Sequence, residues 1–121
     1  MFRNQPILIV EPDTYRALDL SWEIEQSDGS VVGPADDARV ARDIIDTTEV
    51  AAAIIDFEVD GASAVVILLA ERSVPIVVQT ATSLPDVIAR LDGRIAVLSK
   101  PVDPHTVIEM LIVQIGKADV E

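Results

Sequence analysis

Ala51-Ala52-Ala53-Ile54-Ile55-Asp56 is the stretch on which the fold turns. Five small or apolar residues run unbroken into a single carboxylate. A short continuous apolar run fits a strand buried on both faces, as in the middle of a parallel sheet. The strand is expected over Ala51–Ile55, with Asp56 at or just past its carboxyl end. In open α/β sheets that edge is where ligands bind. Taken alone, such an aspartate reads first as a loop residue that ends a strand. Its weight comes from what the other strands deliver to the same edge.

Upstream, Pro6–Val10 is a first strand that ends in Glu11-Pro12-Asp13. Asp13 can cap the helix that follows. That helix, Thr14–Gln26, carries Tyr15, Leu18, Leu20, Trp22 and Ile24 at near-helical spacing, and Trp22 is expected to pack. Asp28-Gly29 is a turn. Ser30–Gly33 gives a short second strand, and Pro34 is expected near the start of a second helix over Asp36–Thr47. There Ala38, Ala41, Ile44 and Ile45 share one face.

Downstream, Phe57–Gly61 is a short acidic loop. Ala62–Arg72 is expected to be a third helix despite its β-branched Val65-Val66-Ile67 cluster. Ser73-Val74-Pro75 breaks it, and Ile76–Gln79 is the fourth strand, ending at Thr80. Ser83 is expected to cap a fourth helix, Pro85–Leu91, with the proline in its first turn. An Asp92-Gly93 turn leads to a fifth strand, Ile95–Leu98, then Ser99-Lys100-Pro101. The fifth helix is expected from Pro104 to Gly116, with Val107, Ile108, Leu111, Ile112 and Ile115 inward and His105 exposed in its first turn. Five strand–helix units in a row imply a five-stranded parallel sheet with right-handed crossovers, a three-layer α/β sandwich. The short units fit a flavodoxin-like strand order of 2-1-3-4-5.

Composition bounds the function. A chain of 121 residues is expected to be a single domain, 1–121, able to bury a core without staples. Half of it is hydrophobic but only 3% is aromatic, so the core is Val, Ile, Leu and Ala. With no cysteine, a disulfide framework, a thiolate zinc site and a cysteine nucleophile are excluded. A single histidine excludes a multi-histidine metal site within one chain. A net charge of −12 disfavours nucleic acid and anionic membranes as partners, because both would repel the domain. No apolar run approaches the length of a membrane span, and the N-terminus lacks a signal-peptide core. A cytoplasmic, stand-alone domain without an output domain is the expectation.

The carboxyl ends of the strands gather Glu11 and Asp13, Asp56, Thr80 and Lys100. Acids, a hydroxyl and an ammonium at one edge suit phosphoryl transfer to a carboxylate. A divalent cation would bridge the acids to a phosphate oxygen, since magnesium is held by one or two carboxylates plus waters and phosphate. Lys100 and Thr80 would bind the other oxygens, so catalysis would consist of positioning and charge neutralisation. Asp56, central and last in an apolar strand, is the natural nucleophile. Each residue also has a plainer role open to it: a solvated acid, a helix cap, the end of a β-branched strand, a surface lysine.

At these residues the chain resembles the CheY-like receiver domains of two-component response regulators, over nearly its whole length. The resemblance is carried by Ile7-Leu8-Ile9-Val10-Glu11, Ile54-Ile55-Asp56, Val77-Val78-Gln79-Thr80-Ala81 and Ser99-Lys100-Pro101 in that order. It implies that Asp56 is the phosphoacceptor, Thr80 the switch hydroxyl and Lys100 the phosphate-binding lysine, with a Lys100-Pro101 peptide that is often cis in the family. It implies a domain that at most catalyses its own phosphorylation and dephosphorylation rather than an enzyme. The partners implied are a histidine kinase or histidine phosphotransfer protein in a phosphorelay and a downstream protein target.

The chain departs from the family in four places. Pro12 stands where the second of two adjacent acids, the direct metal ligand, belongs, with Asp13 one residue on. The loop after Asp56 is short and lacks the usual proline, and Glu58 occupies the position whose carbonyl helps to hold the metal. The Glu58 side chain is a candidate replacement for the missing acid. The candidate magnesium set is therefore Glu11, Asp13, Asp56 and Glu58. Val97 and Val102 replace the aromatic residues around the lysine, so any signal must travel without a moving ring. It is expected on the face of the fourth helix, fifth strand and fifth helix.

Two function classes remain open. One is an active phosphoacceptor; the other is a pseudo-receiver, an interaction module that keeps the fold without metal or phosphate. A flavin binder would need a phosphate-cradling loop after the first strand, and Glu11-Pro12-Asp13 is acidic there. A hydrolase with an aspartate nucleophile after the first strand is countered by Glu11 in the nucleophile's place. A homodimer through an apolar helix face is left open.

Overall fold

The computed structural model describes residues 2–91 and 95–120; the expected Asp92-Gly93 turn lies outside them. Its elements follow in chain order as β1 (Pro6–Val10), α1 (Thr14–Gln26), β2 (Ser30–Ala35), α2 (Ala38–Thr47), β3 (Ala52–Asp56), α3 (Ala62–Glu71), β4 (Ile76–Thr80), α4 (Asp86–Ala89), β5 (Ile95–Ser99) and α5 (Pro104–Val120). The strands form one sheet in the order β2-β1-β3-β4-β5, and every neighbouring pair is parallel. The expected three-layer α/β architecture and strand order are both observed.

Strand alternation divides the core in two. Leu8, Val10, Ala53, Ile55, Ile76 and Val78 face one side of the sheet, where Ala41 and Ile45 of α2, Val65, Val66 and Leu69 of α3 and Ile88 of α4 cover them. Ile7, Ile9, Ala52, Ile54 and Val77 face the other, under Leu20 and Ile24 of α1 and Val107, Ile108 and Leu111 of α5. Every residue of β3 and β4 is buried, as a double-sided cover requires. The β-branched cluster in α3 is helical because Val65 and Val66 are wholly buried against that first face, which outweighs local propensity.

Four local expectations are corrected. Pro34 belongs to β2 rather than to the second helix. The edge strand continues to Ala35 through a register shift between Leu8 and Val10, and Gly33 meets it with φ +92 beside a cis Gly33-Pro34 peptide. Proline is tolerated there because an edge strand has one unpaired side. α2 starts at Ala38 because the Asp37 side chain accepts the Val40 N–H at 2.8 Å and caps it. α4 is a single turn over Asp86–Ala89 with Pro85 as its N-cap residue, and Ser83 does not cap it. Pro85 disfavours helical backbone at Leu84, which leaves Ser83 outside the helix.

The fourth correction concerns Trp22. It does not pack: Trp22 is 58% exposed, Tyr15 82% and Leu18 60%. Two apolar stripes run along α1, and the sheet takes Ala17, Leu20 and Ile24. The small Ala17 lets the helix lie close, whereas the bulkier stripe would hold it away. α5 buries Val107, Ile108 and Leu111, with Ile112 and Ile115 partly covered, and extends past Gly116 to Val120. His105 is exposed, as expected. Among the described residues no helix is long and apolar enough to cross a membrane.

Candidate functional site

The same alternation that sorts the core builds the site. Ile7-Ile9-Glu11, Ala52-Ile54-Asp56 and Val77-Gln79 each continue one face of their strand, so two carboxylates and an amide stand side by side on three adjacent strands. All three are buried, with Glu11 and Asp56 3% exposed and Gln79 fully covered. Glu11 and Asp56 floor a cavity of about 570 Å³ that is also lined by Pro12, Asp13, Arg16, Glu58 and Lys100, with Gln79 covered beneath it.

Lys100 follows β5 and reaches across to Asp56, its Nζ 2.8 Å from Oδ2 and 3.3 Å from Glu58 Oε1. Burial alone would lower the lysine pKa, but the Asp56 and Glu58 carboxylates outweigh it and hold the ammonium above its ordinary 10.5. The Lys100-Pro101 peptide is cis. Asp56 Oδ1 accepts the Glu58 N–H at 2.9 Å, so both oxygens of the central acid are engaged. Thr80, 3% exposed, closes β4; its Oγ1 lies 2.9 Å from the Thr82 carbonyl oxygen and 3.3 Å from Glu58 Oε2.

The four candidate metal ligands do not converge equally. Asp13 Oδ1 accepts the backbone N–H groups of Tyr15 (2.9 Å) and Arg16 (3.2 Å), which makes Asp13 the N-cap of α1. The Glu58 carboxylate turns toward Ala81 N–H at 2.8 Å and toward Lys100. Glu11 and Asp56 are the pair that faces the cavity from the sheet. Burial, the neighbouring Asp56 carboxylate and its hydrogen bond push the Glu11 carboxyl up from 4.5 to about 7, against the lowering pull of the Asp13 N–H and of Lys100. Among the described residues no group of three or more acidic or histidine side chains could hold a metal ion. Two carboxylates suffice for magnesium when waters and a phosphate complete its shell. Glu11 Oε1 is buried and without a hydrogen-bond partner, and such an ion would share it with the Arg16 Nε 3.5 Å away.

Two residues of the site carried no assignment in the sequence. Arg16 extends from α1 over the sheet, where its Nε lies 3.5 Å from Glu11 Oε1 and 3.2 Å from Gln79 Oε1, and its second guanidinium nitrogen also bonds Gln79. Gln79 is the signal that could have led there. It interrupts the apolar run Ile76-Val77-Val78 at the strand position facing Asp56, and a buried amide must find a partner.

No family model and no curated protein matches this sequence. Solved structures do resemble it in fold. The signal receiver domain of an HD domain-containing protein from Pseudomonas fluorescens Pf-5 superposes with a TM-score of 0.81 at 20% identity, over 98% of this chain and 100% of that one. The response regulatory domain of protein mrkE from Klebsiella pneumoniae gives 0.79 at 22% identity, over 97% and 100%. A CheY-like response regulator receiver domain protein from Methanospirillum hungatei JF-1 gives 0.79 at 15%, over 95% and 96%. These likenesses span the whole sheet and its covering helices, and the chain therefore has the CheY-like fold of response regulator receiver domains.

Proposed function

We propose that the chain is a phosphoacceptor receiver in two-component signalling, with Asp56 as the acceptor. The observation that supports this most directly is the Lys100 ammonium 2.8 Å from Asp56 Oδ2, with the Thr80 hydroxyl at the same edge of the sheet. A carboxylate oxygen of Asp56 attacks the phosphorus of a phosphohistidine donor. The new O–P bond forms as the N–P bond breaks, and the leaving imidazole keeps the electron pair and takes a proton from water. Lys100 and Thr80 hold the oxygens of the phosphoryl group, so the chain's work is positioning and charge neutralisation. Glu11 and Asp56 would hold a magnesium ion, which neutralises phosphoryl charge when bound. Arg16 balances Glu11 from 3.5 Å away. The donor would be a histidine kinase or histidine phosphotransfer protein, and the output a protein contact on the face of α4, β5 and α5.

Pro12 and the Arg16 guanidinium beside Glu11 favour a second reading, an interaction module that takes no phosphate. Intact-protein mass after incubation with acetyl phosphate separates the two. A magnesium-dependent gain of one phosphate, lost in Asp56→Asn, is the expected result. No adduct from acetyl phosphate or from a phosphohistidine protein, with the fold intact, assigns the interaction module.

A further inference from the structure

Glu58 is placed as no loop carboxylate needs to be. Its backbone N–H donates to Asp56 Oδ1 at 2.9 Å, which fixes its Cα beside the acceptor. From there its side chain takes the Ala81 N–H on Oε1 at 2.8 Å and the Lys100 Nζ on the same oxygen at 3.3 Å. Its other oxygen is 3.3 Å from the Thr80 hydroxyl. Two donors from two separate strand ends, the Ala81 N–H and the Lys100 ammonium, thus converge on one negatively charged group directly beside Asp56, with the Thr80 hydroxyl close by, its proton shared with the Thr82 carbonyl at 2.9 Å. A solvated surface glutamate would gain little from such an arrangement, because exposed ion pairs contribute less than about 1 kcal/mol. The backbone N–H, which cannot turn elsewhere, makes it a built pocket for oxygens. Glu58 is also free to leave it, since 38% of its side chain is exposed.

We propose that the Glu58 carboxylate occupies the oxygen-binding pocket of Thr80, Ala81 N–H and Lys100, in the place of phosphoryl oxygens, and must swing out before Asp56 can carry phosphate. This rests on the phosphoacceptor reading for its consequence but not for its geometry. Glu58 is then a built-in competitor: it neutralises Lys100 at rest and sets how readily the domain is charged. Displacing it costs one charge-assisted contact set, so its removal is expected to tighten oxyanion binding on the order of tenfold.

The test uses inorganic phosphate as the probe and the Ala81 amide resonance as the readout. Asp56→Asn is compared with Asp56→Asn/Glu58→Ala, which removes the neighbouring acceptor charge from both. The double variant is expected to bind phosphate about tenfold more tightly, with a saturable shift at Ala81. Glu58→Gln in the same background keeps the shape and drops the charge, and falls between. Equal responses from the single and double variants, including none in either, overturn the proposal. With Asp56 intact, Glu58→Ala is expected to take phosphate from acetyl phosphate several-fold faster than the parent. If no protein is labelled while the phosphate titration behaves as expected, the phosphoacceptor reading fails and the occupied pocket stands. If labelling occurs at equal rates and the titrations agree with each other, the reverse holds.

Discussion

Replacing Glu11 by Gln tests the electrostatics of the site without touching its shape. Burial is the main reason the Glu11 carboxyl sits near pH 7 rather than at 4.5, with Asp56 adding to it. Between those two values the folded chain keeps the proton and the unfolded chain releases it. Stability therefore falls as pH rises through that window and is flat above about 7. At tenfold per 1.36 kcal/mol, ionised Glu11 costs on the order of 3 kcal/mol, and roughly 2 kcal/mol of that appears between pH 5 and pH 8. Gln cannot ionise, and Arg16 retains its bonds to Gln79. Urea unfolding of both proteins in EDTA is the assay. Glu11→Gln is expected to match the parent near pH 5 and exceed it by roughly 2 kcal/mol at pH 8. A stability difference that does not change with pH would refute the buried, proton-holding carboxyl.

Ile54 lies fully buried at the centre of β3, so Ile54→Ala is expected to cost about 2–5 kcal/mol in urea unfolding, and a loss below about 1 kcal/mol would contradict the packed core. Gly61 opens α3 with φ +84, and an added Cβ would lie 2.9 Å from Ala38 Cβ. Gly61→Ala should therefore lower stability by about 1–2 kcal/mol or more. Trp22, the one tryptophan, should be readily quenched by acrylamide, and Trp22→Ser should change stability by less than about 0.5 kcal/mol; a protected indole would return it to the core.

Much of the site was legible in the chain because parallel α/β folds write their functional edge in order. Apolar runs ending in Glu11, Asp56 and Thr80, and Ser99-Lys100 after the fifth, fix which side chains reach one edge once the sheet is parallel. Local chemistry also gave the Asp13 cap, since an acid before a helical pattern has the first free N–H groups within reach. Arg16 was missed because helical spacing says which residues share a face but not how far a long side chain folds back.

What the sequence alone determined is what depends on period and order: five strands, their helices, the 2-1-3-4-5 sheet, and the gathering of Glu11, Asp56, Thr80 and Lys100. What only the tertiary structure decided is what depends on competition between alternatives of similar local merit. Two apolar stripes on α1 were equally helical, and close packing against the sheet buried Ala17, Leu20 and Ile24 while leaving Trp22 in water. Four acids stood within reach of a cation, and hydrogen-bond donors elsewhere claimed Asp13 for the helix and Glu58 for Ala81 and Lys100. Periodicity along a chain is a local property, whereas a side chain's partner is chosen by every group that comes within a few ångströms after folding.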